Sequence, residues 1–477
     1  MTGSSHGFSR CTIVPPYLLV RLARVDDPRL AAAAEAARRS LMRDVPIREL
    51  RAAAHPSPPS AARPGVRGGA PPVRGRLDRA VSDAGGLERL PGRLVRREGQ
   101  PEGADPAVNE AWAGLGDTHS LFWNAFERDS IDDRGLTLEA TVHYGRNYDN
   151  AFWDGERMVF GDGDGQVFNR FTSSLTVIGH ELTHGVTQFT ANLAYEGQSG
   201  AINESLSDVF GSLVEQRSLG QSAAEAGWLI GEGLFTDQVQ GVALRSLKAP
   251  GTAYNDDVLG KDPQPADMAG YIETEDDNGG VHLNSGIPNR AFYLVATALG
   301  GNAWETAGQI WFDTLTSGTL GRTVDFAGFA RATSRAAVTR HGAGSREHEA
   351  VIAGWSAVGL GGGLGAGSRA WSDIAAGTGT ASGHVAVAPV PRPESHRPHE
   401  GRRLAQRWLR RHPHHLGGAG GRTTRPVHLG GNALRAPLGR GVRDRTAAGP
   451  VRIPHPLRTP RGRARRTAGP WAVAGTY

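Results

Sequence analysis

The spacing of His180-Glu181-Leu182-Thr183-His184 constrains this chain more than any other stretch. It lies in a run, Thr172 to Thr190, that reads as a helix. Histidines at i and i+4 then share one face about a turn apart, where both rings can converge on a single ion. Glu181 is offset by about 100° around the helix. It can face a water beside that ion without being a ligand. The bland alternative is a solvated helix that carries two histidines.

The next stretch argues against the bland alternative. Twenty residues after His184 comes Glu204, in Ser199-Gly200-Ala201-Ile202-Asn203-Glu204-Ser205-Leu206-Ser207-Asp208. Ile202, Leu206, Val209, Phe210 and Leu213 recur at helical spacing and predict an apolar face. Catalytic zinc takes three protein ligands and keeps a fourth position open, and His180, His184 and Glu204 supply that set. Asp208, one turn beyond Glu204, is spaced to accept the spare ring N–H of a ligating histidine. Further on, Asp277-Asn278-Gly279-Gly280-Val281-His282-Leu283-Asn284-Ser285-Gly286 places an aspartate and a histidine within one expected loop.

These stretches resemble the thermolysin-like neutral metalloproteases, in order and nearly ungapped from Asn150 to Glu215, with a match running from about Leu90 to Leu360. The resemblance implies an α+β, two-lobe zincin: a mixed β/α N-terminal lobe, a central metal-binding helix and an all-α C-terminal lobe. It also implies a zinc endopeptidase with Glu181 as general base. By the same resemblance, Tyr195 and His282 stabilise the negative oxygen of the tetrahedral intermediate, and Asp277 holds and charges His282. Asn150 and the Ala151 carbonyl match the edge strand that holds an extended peptide. Arg245 matches the arginine that grips the carbonyl of the first residue after the cut. Val177 and Leu244 match that residue's pocket, which implies a preference for Leu, Ile or Phe there. A zinc aminopeptidase or a catalytically silent binding protein on the same fold are the alternatives. The chain departs from the family at its paired calcium site. Glu215 and Glu232 match ligand positions, but Thr176, Gly227 and Leu229 stand where carboxylates would be. At most one reduced calcium site is expected.

Ahead of this region, Pro15-Pro16-Tyr17-Leu18-Leu19 resembles the short propeptide of the protealysin-type branch. Asp27 as N-cap and Pro28 at the first position predict an Ala-rich helix running to about Arg43. The Pro, Gly, Ala and Arg stretch from about Ala52 to Arg76 reads as an exposed, cleavable linker. The expected organisation is a propeptide over 1–50, a linker over 51–78, an N-terminal lobe over 79–190 and a helical lobe over 191–360. The chain's own propeptide is thus an expected partner beside protein or peptide substrates. Inhibition by packing of Tyr17-Leu18-Leu19 is the favoured expectation, and a Cys11 thiolate on zinc is the alternative.

Within the N-terminal lobe, Arg93–Arg97 and Leu138–Tyr144 read as strands, and helices are expected near Pro106–Gly114 and Thr118–Arg128. The run Gly161-Asp162-Gly163-Asp164-Gly165 reads as a tight turn, since it lacks the ligand spacing of a calcium loop. After the metal helix the apolar periods predict an almost wholly helical chain, with helices at Ala201–Arg217, Ile287–Leu299, Ala303–Thr316, Phe326–Val338 and His348–Val358.

Charge divides the chain. Residues 361–477 hold 20 Arg, no Lys and four acids, so the net charge of +5 leaves residues 1–360 at −11. That acidic working part argues against nucleic acid as a partner. The basic segment shows no helical or strand period and reads as a disordered tail or as out-of-frame GC-rich sequence. A single Cys11 excludes an internal disulfide. No run approaches the ~20 apolar residues of a membrane span. No classical signal peptide is legible, so secretion rests on the family resemblance, with a cytoplasmic location as the alternative.

Overall fold

The computed structural model describes residues 11–53 and 73–362. Most of the expected linker and the arginine-rich tail lie outside the described residues, as does the side chain of Cys11. The first described element is one that sequence periodicity did not announce: a two-residue strand β1 (Cys11–Thr12). Pro15 and Pro16 then open α1 (Pro16–Ala23), whose Leu18, Leu19 and Leu22 are buried. Pro at the first helical position forfeits no hydrogen bond, since that N–H has no intrahelical partner. Asp27 caps a single 3-10 turn (Pro28–Leu30) through the Arg29 N–H at 2.9 Å. The chain continues as α2 (Ala31–Ala53), about ten residues beyond the expected end at Arg43.

The N-terminal lobe contains β2 (Arg79–Asp83), β3 (Arg93–Arg97), α3 (Pro106–Phe126), β4 (Leu138–Val142), β5 (Ala151–Trp153) and β6 (Met158–Phe160). With β1 they form one mixed six-stranded sheet in the order β1-β5-β6-β4-β2-β3. β4 runs parallel to β2 and β6, and the remaining pairs are antiparallel. The N-terminal strand β1 therefore caps the sheet edge beside β5. Where two helices were expected, α3 is continuous. Asp105 caps it through the N–H groups of Ala107 and Val108 at 2.9 and 3.4 Å. Gly114 and Gly116 do not end it, because the packing of its long buried face outweighs their weak propensity. At Gly114 a Cβ would collide with Ile178, so glycine is what lets α3 lie against the next helix.

That helix, α4 (Leu175–Gln188), carries the H-E-x-x-H run and is buried almost throughout. It crosses α5 (Gly197–Leu219) at two glycines: a Cβ on Gly179 would sit 3.0 Å from Gly211 Cα, and one on Gly211 2.6 Å from the Thr176 carbonyl. The close crossing brings Glu204 on α5 up to the histidines.

The region after α5 is less helical than expected. β7 (Leu229–Ile230) pairs with β8 (Arg245–Ser246), and β9 (Asn255–Asp256) with β10 (Gly260–Lys261), both antiparallel. Two-residue strands leave no period to read, which is why the apolar pattern missed them. Nor is the Asp277–Gly286 stretch a plain loop. Within α6 (Asp276–Asn284), residues Asp277, Asn278, Gly279 and Gly280 have φ of 53°, 54°, 80° and 74°. Asp, Asn and Gly are the residues that enter this left-handed region at least cost. Four helices complete the lobe: α7 (Gly286–Leu299), α8 (Ala307–Thr316), α9 (Phe326–His341) and α10 (Arg346–Ala357). They close around Phe292, Trp311, Phe329 and Trp355, with Phe292 and Trp311 centroids 5.1 Å apart.

Candidate active site and metal centre

His180 and His184 project from the same face of α4, and Glu204 meets them from α5. One donor atom from each lies within 4.8 Å of the others. The two Nε2 atoms are 3.0 Å apart, and each is 3.5 Å from a Glu204 oxygen. Ligands tetrahedrally placed about 2.05 Å from one zinc would be separated by about 3.3 Å, so the donor set fits that ion. The outer ring nitrogens are already committed. His180 Nδ1 donates to Asp208 Oδ1 at 2.8 Å, and His184 Nδ1 to Asn203 Oδ1 at 2.9 Å. Both Nε2 atoms thus face each other as lone pairs, an arrangement a cation resolves. Glu204 Oε2 is buried with no hydrogen-bond partner, a second sign of an ion-shaped gap. Burial by itself would raise Glu204, but the charges of His282 and Arg245 oppose it and hold the carboxyl below its usual range.

Asp208 is buried among donors. Besides His180 it accepts Arg245 Nε and Nη2 at 2.9 and 2.8 Å and Asn289 Nδ2 at 2.8 Å. Burial disfavours its charge, yet Arg245 and His180 together keep it ionised, well below the usual carboxylate range. Glu181 Oε2 accepts the Trp153 N–H of β5 at 2.9 Å, which ties the carboxylate to the edge strand.

The third stretch supplies His282. The left-handed turn folds Asp277 back so that its carboxylate takes the His282 N–H at 2.9 Å and Nδ1–H at 2.7 Å. Nε2 donates to the Thr12 carbonyl at 3.0 Å and stands 3.3 Å from the Tyr195 hydroxyl. With both ring nitrogens donating, the ring is an imidazolium. Accordingly, Asp277 and Glu204 raise its pKa despite the opposing effect of burial. Tyr195 OH donates to Glu204 Oε1, and its backbone carbonyl is held by Asn278 Nδ2 at 3.1 Å.

Along β5 lies the peptide from residues 11–14. Ile13 N–H donates to the Ala151 carbonyl at 3.1 Å, and Val14 N–H to Asn150 Oδ1 at 2.9 Å. Asn150 Nδ2 returns a bond to the Val14 carbonyl at 3.4 Å. Arg245 Nη1 donates to the Ile13 carbonyl at 3.0 Å. Ile13, Val177 and Leu244 are all fully buried in one apolar cluster.

Several residues here were not singled out from sequence. Asn203 and Ser207 both bond His184 Nδ1, and Gln264 Nε2 holds the His282 carbonyl at 2.7 Å. Asp44 on α2 accepts Asn150 Nδ2 at 2.9 Å and the Tyr148 hydroxyl at 2.7 Å. A signal existed for Asn203 and Ser207: they share a helix face with i, i+4 spacing next to a ligand. None existed for Asp44 and Gln264, which arrive from distant segments. At the departed calcium positions, Thr176 Oγ1 accepts the Gly231 N–H at 2.9 Å. Among the described residues, the His180, His184 and Glu204 group is the one cluster arranged to hold a metal.

Comparison with known proteins places this geometry. The family model for the thermolysin metallopeptidase catalytic domain matches residues 94–188, and that for the thermolysin metallopeptidase alpha-helical domain matches residues 191–360. An "Extracellular metalloprotease" of Pectobacterium carotovorum subsp. carotovorum is 51% identical over 333 residues, covering 69% of this chain and 91% of that protein. "Protease PrtS" of Photorhabdus sp. (strain Az29) is 50% identical over 290 residues, covering 60% and 78%. Among solved structures, the precursor of protealysin, a metalloproteinase from Serratia proteamaculans, matches with a TM-score of 0.65 at 49% identity. That match covers 73% of this chain and 99% of the other. Sequence, fold and metal cluster agree that this chain belongs to the thermolysin metallopeptidase family, as a zinc endopeptidase of the protealysin-type branch that is made as a precursor.

Proposed function

We propose that the chain is a latent neutral endopeptidase whose residues 11–53 block its own cleft, and that the residues gathered there divide the work of peptide hydrolysis. The observation that carries this reading is β1 lying antiparallel on β5 with the Ile13 carbonyl on Arg245 and the Thr12 carbonyl on His282. Adding a strand to a sheet edge supplies main-chain hydrogen bonds to any sequence, which suits an endopeptidase. A tethered segment also competes at high effective concentration, so modest intrinsic affinity suffices to exclude substrate.

His180, His184 and Glu204 would hold the zinc, which when bound would supply Lewis-acid polarisation of a water and the scissile carbonyl. Glu181 accepts the proton of that water and returns it to the leaving amine. The His282 imidazolium and the Tyr195 hydroxyl face the carbonyl oxygen as it gains charge, and Asp277 keeps His282 charged. Asn150, Ala151 and Arg245 hold the peptide backbone. The Val177 and Leu244 pocket favours an aliphatic or aromatic side chain after the cut, a reading supported by buried Ile13.

Calcium is limited to one ion between Glu215 and Glu232. The names of the extracellular relatives support export, and no helix among the described residues is long and apolar enough to cross a membrane. The test is hydrolysis of a peptide by the full chain and by a chain starting near Arg79. We expect the full chain to be at least tenfold slower until its linker is cut. Equal rates would overturn the inhibitory reading.

A further inference from the structure

We propose that the Thr12–Ile13 peptide bond is itself a processing site, held in the cleft for hydrolysis in cis by the catalytic machinery of its own chain. The inference rests on the inhibitory reading above and goes beyond it, because a segment can block a cleft without presenting any bond for cutting.

The register singles out this bond. Opposite pairs on an antiparallel ladder alternate between hydrogen-bonded and open positions. Ile13 donates to Ala151, and the register pairs Cys11 with Trp153 and Thr12 with Phe152. Thr12 is therefore at an open position, with its carbonyl turned away from β5 toward α6. It lands 3.0 Å from His282 Nε2, inside the range expected of an oxyanion donor. The next carbonyl, Ile13, is taken by Arg245, and the next, Val14, by Asn150. Of these three carbonyls, only that of Thr12 faces the donors of the metal centre. On the amine side, the Ile13 N–H points at the Ala151 carbonyl, so the nitrogen that would leave is already held. Glu181 is fixed to Trp153, the residue opposite Cys11, one position upstream of the bond. Ile13 is fully buried, as a side chain filling the pocket after the cut should be.

Hydrolysis would add water across the amide: hydroxide to the Thr12 carbonyl carbon, the remaining proton to the Ile13 nitrogen, with no further reactant. Of the fragment ending at Thr12, the described residues Cys11 and Thr12 are held by the β1–β5 pairing and the His282 contact, few enough for the cut fragment to depart. The chain beginning at Ile13 stays docked, because Val14, α1 and α2 keep their contacts. This cut is thus separate from linker cleavage and leaves the enzyme latent. It also reports specificity, with Thr before the cut and Ile after it.

The test follows zinc-loaded full-length chain, its metal content verified, by intact mass and N-terminal sequencing over hours. A chain beginning at Ile13 should accumulate at a rate unchanged by tenfold dilution, while peptide hydrolysis stays low. Glu181→Gln should slow the cut at least ~100-fold, even when mixed with active enzyme, because the bond is shielded in its own cleft. A zinc-loaded, latent chain that stays intact at Thr12–Ile13 overturns the proposal and leaves the inhibitory reading standing. Cutting that scales with concentration, or that proceeds in Glu181→Gln, overturns the cis step. A full chain as active as one starting near Arg79 while uncut overturns the inhibitory reading itself.

Discussion

Arg245 grips Asp208 through two parallel hydrogen bonds, Nε to Oδ2 at 2.9 Å and Nη2 to Oδ1 at 2.8 Å, with both side chains fully buried. Asp208 Oδ1 also accepts the ring N–H of His180, and the remaining Arg245 nitrogen, Nη1, donates to the Ile13 carbonyl. One ion pair therefore orients a metal ligand and grips the peptide. A buried pair of this kind is costly to break from one side, since the surviving charge loses its partner.

Arg245→Lys should uncouple the two jobs. An ammonium cannot form the planar fork and also reach the peptide carbonyl. We expect the mature enzyme's kcat/KM to fall at least tenfold and zinc affinity to fall with it. Asp208→Ala should weaken zinc by about 10–100-fold. Chelator competition and peptide kinetics measure both, and unchanged zinc affinity in both variants would disprove the coupling.

Glu181→Gln should retain zinc and lose roughly 10²–10⁴-fold in turnover, because a carboxamide cannot take the proton. The Trp153 N–H still finds an oxygen acceptor, so the fold is spared. Metal analysis beside peptide hydrolysis checks this, and near-normal turnover removes Glu181 from the mechanism.

Asp44→Asn should make the precursor leaky. Asp44 accepts two donors, from Tyr148 and Asn150, and an amide turns a donor of its own toward one of them. Losing one satisfied buried bond costs about 1–3 kcal/mol. Basal hydrolysis by the uncut chain should rise about tenfold or more, while a chain starting near Arg79 is untouched. An equally latent variant would show that Asp44 does not anchor the propeptide.

Glu215 predicts a pH dependence of stability. Burial and the nearby Glu232 push its pKa from 4.5 up to about 7. The folded state then binds the proton more tightly than the unfolded chain. That contribution is fully present below about pH 4.5, is lost as pH climbs to about 7, and amounts to about 3 kcal/mol. Glu215→Gln removes the slope, so its melting temperature should overtake the native one above pH 7. Parallel melting profiles between pH 5 and 8 would refute it.

Much of this protein was legible before folding because helices are local. The i, i+4 histidines, Glu204 with Asp208 a turn later, and the apolar periods of α5 and α7 through α10 all follow from 3.6 residues per turn. What misled or stayed silent involved partners far along the chain. Gly114 and Gly116 looked like breaks in α3 until Ile178 supplied the contact that rewards the first of them. β1 is two residues long and exists only because β5 offers it an edge.

Residue types and spacing thus singled out the candidate metal donors and the candidate base, because the i, i+4 histidines and the Glu204 helix are local patterns, while the order of the lobes came from the family resemblance. Tertiary structure alone decided which carbonyl meets His282, which acid anchors Asn150, and that Arg245 serves Asp208 and the peptide at once. Those contacts join residues 37 to 270 positions apart. No local period encodes such pairings; they form only when the packed core brings distant segments within hydrogen-bond reach.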